Sequence, residues 1–65
     1  MLTPKSIRER ATKAHMSVEA LMREAKIERS TFWRWERGIG NPHPVTVQKI
    51  SDALARIEAE KAKAA

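Results

Sequence analysis

Sixty-five residues, 42% of them apolar, with 13 Lys/Arg against 8 Asp/Glu and a net charge of +5, describe one small basic domain. The absence of cysteine removes disulfides, thiolate metal sites and a cysteine nucleophile, and His15 and His43 do not make a structural zinc site without thiolates. A chain this short buries only about 60% of its unfolded surface, so its stability is expected from well-packed helices or from self-association.

The positive charge is not spread evenly. Residues 1–26 carry six Lys/Arg against three Glu, residues 27–51 carry four against two, and residues 52–65 are balanced at three against three. The basic excess therefore lies in the body, the reverse of a disordered basic tail, and points to a polyanionic partner. No basic amphipathic segment with a large apolar face suits a membrane surface, and no apolar run approaches the roughly 18 residues of a span. The opening MLTPKS has no apolar signal-peptide core, so the chain is expected in the cytoplasm.

Four helical segments follow in chain order, with no strand pattern. TPKSIRERATKAH has Thr3 as N-cap, Pro4 at the first helical position and a thin apolar stripe of Ile7, Ala11 and Ala14. His15, at its end, sits where a helix dipole favours a cation. SVEALMREA has Ser17 as N-cap, Glu19 in the first turn, and Val18, Leu21 and Ala25 on one face. RSTFWRWER places Phe32 and Trp35 together on a core face, and Gly38 stops it. GIGNPHP reads as a loop. From Pro44 a long helix carries a stripe of Val47, Ile50, Leu54 and Ile57, supported by an Asp52–Arg56 pair at i,i+4. It is expected to hold to about residue 59 and to fray beyond, with residues 55–65 extending past the core.

The connection between the second and third helices is too short for a long loop. Two short helices joined in this way form a helix-turn-helix, whose second helix lies in the major groove. RSTFWRWERG puts three arginines and both tryptophans into ten positions, and residues two apart on a helix point opposite ways. Trp35 thus belongs to the core, while Trp33 stands outward with Arg29, Ser30 and Arg34. Arg37 closes the helix. Arginine paired to guanine is the commonest specific base contact, and serine serves several bases.

Residues 16–54, MSVEALMREAKIERSTFWRWERGIGNPHPVTVQKISDAL, resemble the phage repressor and Cro family of XRE-type regulators. The specific parts are RSTFWRWERG, the NP at 41–42 and TVQKISDAL. The resemblance implies an all-α, compact four-helix helix-turn-helix DNA-binding domain over residues 1–65. The motif spans about 17–37, and an extended C-terminal helix replaces the glycine turn and fifth helix of many members. Arg29, Ser30 and Arg34 fall on the family's base-reading positions. Arg37 and the loop from Gly38 to Asn41 fall where the family meets phosphate. Ser17, Lys26, Thr31, Trp33, Asn41 and His43 complete the flanking or backbone-contacting set. Trp33 has two open roles, against sugar and phosphate or against a neighbouring helix or second subunit. His43 is structural or a phosphate neighbour.

Departures are specific. Val18 replaces the glutamine that usually opens the second helix. Lys26 replaces the usual turn glycine, at a cost of roughly 1 kcal/mol if its backbone is left-handed. Met22 replaces a small residue, and Ala11 replaces an arginine that pairs with the residue at Glu36, leaving Arg10 or solvent as the partner of Glu36.

No cluster of His with carboxylates, no glycine-rich phosphate loop and no serine with an evident base argues for an enzyme. No cofactor, metal or small-molecule ligand is expected. The expected partner is double-stranded DNA, bound by a homodimer on a palindromic operator. Repression, a phage or mobile-element origin and a place at the nucleoid of a bacterial or phage-infected cell are implied by the resemblance. Two rivals stand beside this reading: a protein-binding helix-turn-helix module of antitoxin or anti-repressor kind, and a sequence-indifferent DNA binder.

Overall fold

Thr3 opens the first helix with a reciprocal cap. Its hydroxyl accepts from the Ser6 N–H (3.1 Å), and the Ser6 hydroxyl accepts from the Thr3 N–H (2.9 Å). In a computed structural model, which describes residues 2–64, this helix is α1 (Pro4–Lys13), followed by α2 (Val18–Ala25), α3 (Arg29–Glu36) and α4 (Pro44–Ala64), with no strand among the described residues. Ser17 caps α2 by accepting from the Ala20 N–H (3.1 Å). His43 starts α4: its Nδ1 accepts from the Val45 N–H (3.1 Å), and its carbonyl accepts from Thr46 (2.9 Å) and Val47 (3.2 Å).

The first three helices end alike. Each passes through one residue with a left-handed backbone, His15 (φ 57°), Lys26 (φ 60°) and Gly38 (φ 75°). The next N–H then reaches back to the helix: Met16 to the Ala11 carbonyl (3.0 Å), Ile27 to Met22 (2.9 Å) and Ile39 to Arg34 (2.8 Å). Only the third of these ends has the glycine that such a backbone favours, so Lys26 and His15 each carry a cost of about 1 kcal/mol. Met16 and Ile27 pack against the core directly after their turns, which offsets that cost. Ile39 remains 57% exposed.

The core joins Ile7, Ala11 and Ala14 from α1 and its cap to Leu21, Met22 and Ala25, Phe32, and Ile50, Ala53, Leu54 and Ile57. α2 lies against α1, α3 and α4, so it is the hub. Two bidentate ion pairs brace α1. Arg8 grips Glu36 of α3 through Nε and through Nη2 (2.7 Å), and Arg10 grips Glu58 of α4, with Nε donating at 2.9 Å.

The expected partner of Glu36 is corrected accordingly: it is Arg8, while Arg10 turns to α4. Ile7, Ala11 and Ala14 define the buried stripe of α1, and positions 8 and 10 flank it on opposite sides, toward different neighbours. The Asp52–Arg56 pair is replaced by a hydrogen bond from Gln48 to Asp52 (2.8 Å) and a reach from Arg56 to Glu24 (3.5 Å). Val47 is half-buried rather than core, and so is Trp35, which meets the Phe32 ring edge-on (6.3 Å between centroids, 82°).

α4 does not fray at 59 but continues to Ala64. Its Ala, Glu and Lys residues are strong helix formers. At 21 residues it is about 32 Å long. The last buried side chain is Ile57, and residues 58–63 are exposed. This tail draws the molecule out to 38 × 21 × 19 Å. No helix among the described residues is long and apolar enough to cross a membrane.

Candidate nucleic-acid interface

α2 and α3 are each eight residues long and joined by Lys26, Ile27 and Glu28. The turn is fixed from below, because Ile27 packs on the core, and from within by the left-handed Lys26. α3 is held by a narrow face. Phe32 is 3% exposed, Thr31 and Trp35 are half-buried, and Arg29, Ser30, Trp33, Arg34 and Glu36 are exposed. The Arg8 guanidinium lies over the Phe32 ring (5.5 Å) while binding Glu36, so α1 clamps the same helix from its inner side. That hydrogen-bonded guanidinium holds the Glu36 carboxyl below the usual carboxylate range, and the Arg37 charge adds to the effect. The Glu58 carboxyl is lowered in the same way by Arg10.

The residues expected to form a binding site fall into two adjacent groups. The first lines a shallow groove between the starts of α2 and α3, where Ser17, Arg29 and Trp33 meet Val18 and Glu19. Arg29 Nη1 lies 3.2 Å from Glu19 Oε1. Trp33 is 48% exposed, and the Arg37 guanidinium lies over its ring at 4.6 Å. Trp33 thus borders the groove beside the start of α2 and carries Arg37, one turn on, over its ring. The second group surrounds a hollow between α3 and the following loop, lined by Thr31, Arg34, Asn41 and His43. Arg34 makes no salt bridge among the described residues. His43 spends its Nδ1 on the cap of α4.

Two expected members stand outside these groups. Lys26 lies in a separate hollow between α2 and α4, beside Arg23, Lys49 and Arg56. Ser30 makes only a long contact to Glu28 (3.5 Å).

No protein-family model, no curated protein and no solved structure matches the chain.

The site is therefore described by its own chemistry. Three arginines emerge from one short helix and its C-cap, each in a different state: Arg29 on a carboxylate, Arg37 on an indole, Arg34 in solvent. Sequence reasoning missed Glu19, seen there only as an acidic residue in a first turn. Its partner is ten positions away across the turn, beyond the reach of any spacing rule within one helix. Sequence reasoning also missed the Trp33–Arg37 stack, although residues at i and i+4 share a helix face and the spacing could have shown it.

Proposed function

We propose that this chain is a helix-turn-helix DNA-binding regulator of the phage repressor and Cro kind, a repressor that occupies a palindromic operator as a homodimer. The observation that carries this reading is the outward face of α3, where Arg29, Arg34 and Arg37 surround the exposed Trp33 on a helix anchored by Phe32. Arg29 and Arg34 read base edges in the major groove, with Ser30 beside them. Arg37, at the helix end, holds phosphate. Ser17, Lys26, Thr31, Asn41 and the Trp33 edge flank the backbone, and His43 shapes the loop that carries Asn41. Repression follows from occupancy, since a bound dimer blocks a promoter that overlaps its site. A two-fold pair sets two reading helices about 34 Å apart, one turn of duplex, so the site is an inverted repeat.

Selection of bound sequences from a random duplex pool tests this. A recovered inverted repeat, preferred over random duplex by about 10³ or more, supports the reading. About six phosphate contacts give a log–log salt slope near −5. The exposed Ile39 (57%) and Val45 (55%) favour a second reading, a module that binds protein. A partner held through these apolar side chains keeps its affinity as salt rises, whereas duplex DNA is released.

A further inference from the structure

Among the described residues, Arg29 is the one arginine of the proposed reading face that forms a salt bridge with a carboxylate from another helix. Glu19 is the second residue of α2 and Arg29 the first of α3, and their charged atoms approach to 3.2 Å. We propose that Glu19 positions Arg29 for base reading and sets how strongly the protein prefers its operator to random duplex. This rests on the DNA-binding reading above.

In the free protein the pair is weak, because both side chains are more than 60% exposed (74% and 62%) and water screens them. Covering the groove with duplex removes that water, and the same attraction strengthens. The geometry suits a relay. Glu19 takes Nη1, which leaves Nη2 and Nε of the planar fork free for two parallel bonds to a guanine edge. Trp33, one helical turn from Arg29, lines the same groove.

Glu19 also opposes the wrong complex. A carboxylate in the contact face repels phosphate, so any register that sets Arg29 on the DNA backbone brings Glu19 against like charge. Among the described residues neither Arg34, in solvent, nor Arg37, on an indole, forms a salt bridge to a residue of α2. Discrimination by Arg29 thus depends on Glu19, and discrimination by Arg34 does not.

The test uses the full-length chain and its Glu19→Gln variant, which keeps the side-chain length and the Ser17 cap. Affinity is measured for the selected site, for that site altered at each base pair, and for random duplex. The ratio of selected to random affinity is expected to fall about three- to tenfold, the scale of one lost hydrogen bond. The loss should fall at the base pair read by Arg29, with the base pair read by Arg34 unchanged and affinity for random duplex equal or higher. In an Arg29→Ala background the second change should have no further effect on the ratio. An unchanged ratio in Glu19→Gln, or a loss of equal size in the Arg29→Ala background, overturns the proposal while leaving DNA reading by α3 intact. Failure of Arg29→Ala itself to alter sequence preference overturns the proposal together with the assignment of Arg29 as a base reader. An unfolding midpoint near wild type shows that the fold is kept, as the exposed position requires.

Discussion

Positions 33 and 35 hold the same side chain in two environments. About 100° of rotation per residue sends one indole outward to Arg37 and the other inward to the edge of Phe32. That division was legible from spacing alone. The depth of Trp35 was not, because α3 ends at the margin of the core and a large ring there is covered on one side only. Phe32→Ala is therefore expected to cost about 3–5 kcal/mol, enough to unfold most of so small a domain. Trp35→Ala should cost less, about 1–3 kcal/mol. Urea unfolding of the two variants checks the order, and equal losses would place Trp35 in the core. Lys26→Gly is expected to raise stability by about 1 kcal/mol, because it relieves the left-handed backbone. The urea midpoint should rise with its slope unchanged.

The starts of α1 and α2 were readable from single residues, since Thr3 and Ser17 are capping types placed before helical patterns, and both cap as expected. The ion pairs between helices were not readable. Periodicity shows that Arg8 and Arg10 flank a buried stripe, but which neighbour lies on which side depends on how the four helices turn back on one another. Nor did the pattern limit the last helix, whose residues beyond Ile57 are held by propensity rather than by burial. The Arg10–Glu58 pair ties the beginning of that tail to α1. Because the folded Glu58 carboxyl titrates below its unfolded value, its contribution is complete above the ordinary carboxylate range and is lost as pH falls through the lowered value. Glu58→Gln should thus destabilise the protein at neutral pH by about 0.2–1 kcal/mol. The gap from wild type should close as the solution is acidified toward pH ~3. Melting temperatures across that range check it, and a gap that persists in acid would assign the loss to packing.

The whole molecule is a helical core with an exposed arginine-bearing face at one side and a projecting helix at another. The proposed dimer needs a contact between two such units, and the tail is the part of the described chain that extends past the core. Deleting residues 58–65 is expected to weaken self-association while the core stays folded. Sedimentation of the shortened chain tests this, and unchanged association would put the interface elsewhere. The central claim is that α3 reads bases through Arg29 and Arg34 and holds the backbone through Arg37. Sequence selection from a random duplex pool, run on wild type and on the Arg29→Ala, Arg34→Ala and Arg37→Ala variants, tests it most directly. Arg29→Ala and Arg34→Ala should each cost roughly 1–3 kcal/mol on the operator and flatten the preference at one base pair per half-site. Arg37→Ala should weaken all sequences alike and lower the salt slope by about one per subunit. If the Arg29 and Arg34 variants recover the wild-type sequence with undiminished preference, α3 is not the reading helix.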